Sequence, residues 1–269
     1  MSKRGYVHGY SETESERLSV QAATLNELLY GDTSYPAGSL VLEAGCGTGA
    51  QTTVITKNSP GAIIISVDIS QKSLAAAKRR ATAEGKAAEY LNCDIFGLPF
   101  PKDSFDHIFV CFVLEHLRDP VNALTALMKV LKPGGTITVI EGDHGSAFFH
   151  PESAAAKRNI GCLVELQAEA GGDALIGRRL SPFLRSAGFD AVSVSPRMVY
   201  VDSSRPDLVE GFTRKTFTVM VEGVGEDAVS SGMMTKEGWD EGISALYRTA
   251  EDDGTFCYTF FKTTGTRPV

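Results

Sequence analysis

The spacing of apolar positions changes along the chain, and the changes mark its elements. Leu18, Ala22, Leu25 and Leu29 recur at helical spacing behind Ser11-Glu12-Thr13-Glu14, a capping-box sequence. Short apolar runs then follow at 39–43, 62–68, 87–92, 105–113 and 136–141, each predicting a strand. Helical segments separate them. The first, at 50–57, ends on Asn58-Ser59-Pro60-Gly61. A second runs over 70–84, where Ser70 can cap it and Gly85 stops it. A third starts at Asp119-Pro120, carries Val121, Leu124, Leu127, Met128 and Leu131 on one stripe, and stops at Lys132-Pro133-Gly134-Gly135. Strands alternating with helices over a hundred residues predict an α/β fold, an open and mostly parallel sheet covered on both faces.

Past Glu141 the alternation loosens. A helix is expected over 151–170, stopped by Gly171-Gly172, and a short one from Ser181-Pro182 to Gly188. Strands are expected at 191–200 and 255–262. The residues between them, 201–254, are too many for a plain loop and have helical character. The expected organisation is a lid helix at 1–35, the main domain at 36–200, a helical cap at 201–254 and a final strand and tail at 255–269. Residues 141–146 are expected to form a loop leaving the fifth strand.

Composition adds limits. The chain has 269 residues, 43% hydrophobic and 22% charged, with a net charge of −7. That balance disfavours a protein that holds nucleic acid through phosphate charge. The apolar runs fall far short of the roughly 20 residues needed to span a bilayer. Five dispersed cysteines without a CxxC pair predict reduced thiols, no zinc site and a cytoplasmic protein. Monomer and homodimer are both left open.

The chemistry concentrates at Glu43-Ala44-Gly45-Cys46-Gly47-Thr48-Gly49, where a strand turns through three glycines into a helix. Such a loop lets a ligand lie against bare backbone. A dinucleotide site would use the form GxGxxG, but here Ala50 stands where the third glycine belongs. Asp68, at the end of the second strand, can accept hydrogen bonds from two ribose hydroxyls, and suits either ligand.

The E-x-G-x-G-x-G loop resembles motif I of class I S-adenosylmethionine (SAM) methyltransferases. Asn92-Cys93-Asp94-Ile95-Phe96, Phe105-Asp106-His107-Ile108, Leu114-Glu115-His116-Leu117 and Leu131-Lys132-Pro133-Gly134-Gly135 follow in that family's order. The resemblance covers about residues 38 to 141 and points to the small-molecule branch that includes ubiquinone, menaquinone and natural-product methyltransferases. It implies a Rossmann-like, doubly wound seven-stranded sheet with the last strand antiparallel. It also implies SAM as cofactor. Glu43, Gly45, Cys46, Gly47 and Gly49 would back the methionine part. Asp68 and Ile69 would meet the ribose, Asp94, Ile95 and Phe96 the adenine, and Cys111 would line the cleft. Arg17 and Gln21, four apart on the first helix, resemble residues that face the SAM carboxylate, and Tyr10 resembles an aromatic that covers the sulfonium.

By the rule for open α/β sheets, the acceptor sits beyond the strands' carboxyl ends. His144 is the first candidate for a base or an acceptor-orienting group, with Asp143 and His8 beside it as catalytic candidates. Glu141, Glu115, Phe148 and Phe149 are candidates for binding the acceptor, and Phe212 and Phe217 could add aromatic wall. His107 is expected to face outward from a strand start. The chain has no Asp/Asn-Pro-Pro-Tyr/Phe tetrapeptide, no Pro-Cys dipeptide and no metal-ligand cluster. These absences favour a small-molecule acceptor, such as an aromatic heterocycle of the indole type. A protein or RNA methyltransferase, or a non-catalytic module of the same fold, is the alternative.

Overall fold

A computed structural model describes residues 12–85 and 88–269, with residues 12–16 described by backbone alone. In chain order the first elements are α1 (Glu12–Thr24), α2 (Asn26–Tyr30), β1 (Leu40–Ala44), α3 (Ala50–Asn58), β2 (Ile63–Asp68), α4 (Gln71–Ala83) and β3 (Glu89–Asn92). Next come β4 (Phe105–Cys111), α5 (Pro120–Val130), β5 (Leu131–His150), α6 (Ala154–Glu169), α7 (Leu180–Ser186) and β6 (Asp190–Val201). The chain closes through α8 (Pro206–Leu208), a π-helical stretch (Val209–Thr218), α9 (Val219–Glu222), α10 (Gly225–Ser230), α11 (Lys236–Arg248) and β7 (Thr255–Thr266).

The seven strands are ordered β3-β2-β1-β4-β5-β7-β6. β1 pairs in parallel with β2 and with β4, β2 with β3, and β4 with β5. β7 runs against β5: Gly134 and Gly135 meet Arg267, while Ser146 meets Thr259. The strand order reverses between β1 and β4, and open α/β sheets bind their ligands beyond the carboxyl ends of the strands at such a point.

The chain divides into two compact units. One comprises residues 26–141, 176–197 and 261–269; its core is built from β1, β2 and β4 with α5 and α7. Leu42, Val67, Ile108 and Val110 are fully buried there against Leu124, Leu127 and Leu184. Capping agrees with the sequence: Asp119 accepts from the Asn122 amide with Pro120 in the first turn, and Ser70 accepts from the Ser73 amide. The other unit comprises the described residues up to 25, with 142–175 and 198–260. Its inside is aromatic. Phe212, Phe217, Phe256, Tyr258 and Phe260 pack together, and Trp239 is buried beside Gly225. Residues 201–254 lie largely in helices of this unit, in keeping with their helical pattern.

Two local expectations are corrected. β5 does not end at Glu141; it continues to His150, so 141–146 is strand and not loop. Glu141, Gly142, Asp143 and His144 are all buried, so no polar-out alternation marks the strand. His107 does not face outward. It stacks on Tyr35 at 5.0 Å, and its Nδ1 lies 2.8 Å from Thr136 Oγ1.

Candidate functional site

The glycine loop leaves β1 at its carboxyl end. Gly45, Gly47 and Gly49 all have positive φ, at 78°, 53° and 78°. Side chains crowd two of them. A Cβ on Gly45 would overlap Val113, and one on Gly49 would come within 2.9 Å of Ala77. Gly47 differs, because a Cβ there would meet none of the described residues within 4 Å. The first and third glycines thus let the chain pack, and no described residue crowds the second. The Gly45 and Cys46 amides donate to the Val67 carbonyl at 2.8 and 3.0 Å, tying the loop to β2. Cys46 is buried, and burial pushes its thiol far above the ordinary range.

Glu43 lies under the loop, 2% exposed. Its Oε2 accepts from Thr52 Oγ1 and from Ser66 Oγ, both at 2.6 Å. Burial outweighs these two bonds and pushes its carboxyl up to about 7. Asp68 ends β2 with both oxygens on backbone: Oδ2 accepts from the Gly47 amide at 2.8 Å, Oδ1 from the Ser70 amide at 2.7 Å. Burial raises its pKa despite the two bonds. A carboxylate has about four lone-pair sites, so two remain for hydroxyl donors. Asp94 is exposed and caps the short turn Ile95–Gly97 through the Phe96 amide at 2.9 Å. Phe96 and Ile69 are also exposed, while Ile95 packs on the core.

The carboxyl ends of β4 and β5 hold a second group. Glu141 is wholly buried, and its Oε1 accepts from the Val113 and Leu114 amides at 3.0 and 2.8 Å. Its Oε2 is buried without a hydrogen-bond partner among the described residues. Burial, and next the charge of Glu115, hold the Glu141 carboxyl well above the usual range. Glu115 lies 3.5 Å from His116 Nε2. Cys111 is buried, its Sγ 3.5 Å from Tyr30 Oη. Phe112, next in line, takes a φ of 56°, which an L side chain rarely adopts. These residues, with the glycine loop and Asp68, belong to one unit.

The other unit holds the remaining candidates. Arg17 and Gln21 share a face of α1 as their spacing predicts, and Arg17 Nη1 donates to Gln21 Oε1 at 2.9 Å. His144 is buried on β5, its Nδ1 2.7 Å from Tyr258 Oη. Asp143 accepts from the Gly145 amide at 3.0 Å. Phe149 is buried and stacks on Phe256 at 5.9 Å, with Phe212 and Phe217 in the same aromatic cluster. Phe148, one residue earlier, is exposed. His8 and Tyr10 lie outside the described residues. Among the described residues no group of three or more His, Cys, Asp or Glu could hold a metal ion, and no helix is long and apolar enough to cross a membrane.

Sequence reasoning missed Tyr258, Thr52 and Ser66. Thr52 and Ser66 lie on elements flanking motif I, but a lone hydroxyl gives no signal until its carboxylate is placed. Tyr258 sits in an alternating strand 114 positions from its partner His144, and nothing local marks it.

Residues 42–139 match a family model described as a methyltransferase domain. A demethylmenaquinone methyltransferase of Thermus thermophilus is 35% identical over 101 residues, covering 38% of this chain and 46% of the relative. An uncharacterized 37.1 kDa protein in transposon TN4556 of Streptomyces fradiae is 32% identical over 200 residues, covering 73% of this chain and 54% of the relative. The chain thus spans about half the length of these relatives. Among solved structures, the 4+2 cyclase SpnF superposes with a TM-score of 0.54 at 21% identity, covering 95% of this chain and 81% of its own. Residues 42–139 thus match a methyltransferase domain, carried on a seven-stranded sheet whose β7 runs against β5.

Proposed function

We propose that this chain transfers a methyl group from SAM to a small-molecule acceptor. The observation that carries the reading is the pairing of the glycine loop with Asp68. One carboxylate oxygen holds the Gly47 amide, and no described residue stands within 4 Å of where a Gly47 Cβ would be. The residues present fit the cofactor. Asp68 keeps lone pairs for two ribose hydroxyls. Asp94 would accept from the adenine amino group, and the exposed Ile69 and Phe96 offer apolar surface to the nucleoside. When bound, SAM supplies an already activated methyl group for in-line displacement. The protein's own task is alignment and exclusion of water.

His144 and Asp143 are the residues proposed to meet the acceptor, with Glu141 close to them in sequence and Glu115 as a further candidate. Phe148 is the aromatic left free to contact it; Phe149 contributes to the packed interior instead. The menaquinone-pathway name of one relative, and the uncharged aromatic packing around His144, favour a small apolar acceptor over a polyanion. Calorimetry tests the cofactor half. The intact chain should bind one SAM, and Asp68→Ala should weaken binding at least tenfold (about 1.4 kcal/mol or more). Absence of SAM binding by the unaltered chain contradicts the reading.

A further inference from the structure

Beyond β4 the chain makes a short helical turn, Leu114–His116, with Val113 at its capping position. The first amides of such a turn find no acceptor inside it, and a valine side chain has no oxygen to offer them. Glu141 supplies the acceptor from the neighbouring strand. β5 runs beside β4 in parallel with Ile140 opposite Cys111, so Glu141 comes level with Phe112. Its Oε1 accepts from the Val113 amide at 3.0 Å and from the Leu114 amide at 2.8 Å, and the Glu115 amide also bonds to the carboxyl. The chain enters the turn through Phe112, whose φ of 56° persists only where its surroundings hold it. The Phe112 amide donates to the Ile140 carbonyl at 2.9 Å, and the Glu141 carboxyl holds the residues that follow.

What the turn carries is Val113. The strand order β2-β1-β4 puts the glycine loop, at the end of β1, between β2 and this turn. On the β2 side, the Gly45 and Cys46 amides are tied to the Val67 carbonyl. On the β4 side, Val113 lies so close to Gly45 that a Cβ there would overlap Val113 Cγ2. All of these residues lie in one compact unit. We propose that Glu141 is a positioning residue for the glycine loop, which holds Val113 against Gly45 through the place of its accepting oxygen and not through a charge. That role differs from the acceptor binding expected of Glu141 from the sequence. Burial, and next the charge of Glu115, favour the protonated carboxyl, and a glutamine amide copies its shape. That the loop holds SAM rests on the methyltransferase reading; the positioning of the loop does not.

The test separates the two. The full chain is labelled with 15N and its amide signals are followed without ligand. Glu141→Met keeps the bulk and removes the acceptor, while Val113→Ala removes the contact and leaves the carboxyl. Each should move the Gly45, Cys46 and Gly47 signals, Glu141→Gln should restore them, and Glu141→Met added to Val113→Ala should move them little further. Loop signals unmoved in Val113→Ala overturn the proposal, and that variant decides it alone if Glu141→Met does not fold. Shifts as large in Glu141→Gln as in Glu141→Met also overturn it, because charge then holds the loop. Calorimetry with SAM reads the consequence. Glu141→Met and Val113→Ala should each weaken binding about tenfold, Glu141→Gln should recover it to within about threefold, and the double variant should be no more than about twofold weaker than Val113→Ala. Additive losses overturn the path through Val113. If the unaltered chain binds no SAM, the methyltransferase reading falls, and the loop signals still decide the positioning.

Discussion

Two hydroxyls hold one oxygen of Glu43, and burial holds its proton. The consequence is a pH dependence whose sign follows from the direction of the shift. A carboxyl raised from 4.5 to about 7 in the folded chain favours folding in its protonated form. That contribution is complete below the unfolded value and is lost as pH rises through about 7. Its full size is on the order of 3 kcal/mol. Glu43→Gln keeps the shape and removes the titration, so Tm measured from pH 5 to pH 8 should fall less steeply in the variant. An equal slope in both chains contradicts the assignment. Residue-scale chemistry was the most legible part of the sequence where a motif spaced it. Glu43, Asp68 and Asp94 stand at the strand ends and turn expected of them. Pairs formed across long separations, such as His144 with Tyr258, left no trace, because the side chains meet only after β5 and β7 pair.

Among elements, the glycine loop divides into positions that pack and a position that no described residue crowds. Gly45→Ala must bear a φ of 78° and displace Val113. It should cost at least about 2 kcal/mol in urea denaturation. Gly47→Ala bears a milder φ of 53° with no neighbour in reach among the described residues. It should cost only about 1 kcal/mol of stability yet weaken SAM binding about tenfold or more, because its methyl group fills the ligand's side of the loop. Equal effects of the two substitutions on stability and affinity would contradict this division. β5 shows where element prediction runs out. Its second half buries Glu141, Asp143 and His144, and a strand buried through polar residues has neither the alternation of a half-exposed strand nor the apolar run of a core strand. The residues 201–254 read as helical in sequence, but the π-helical stretch at Val209–Thr218, which buries Phe212 and Phe217, has no sequence signature.

For the whole molecule, the order of strands and helices from 39 to 141 gave the parallel half of the sheet, because each βα unit is local in sequence. The position of β7 between β5 and β6 is not local, and the family resemblance implied only that the last strand runs antiparallel. SAM binding should stabilise the folded chain by about 2.7 kcal/mol at a ligand concentration a hundredfold above Kd. Asp68→Ala should abolish most of the corresponding rise in Tm. The molecule has a single tryptophan, Trp239, buried in the unit that carries His144. Its fluorescence therefore reports the unfolding of that unit, while far-UV dichroism reports both.

The central claim is methyl transfer to a small molecule. It is tested most directly by incubating the intact chain with methyl-labelled SAM and a metabolite extract, then separating small products from macromolecules. The account predicts label in a small product, formed in step with S-adenosylhomocysteine and lost in Asp68→Ala. Label confined to protein or RNA, or no label transferred while SAM binds, would contradict it.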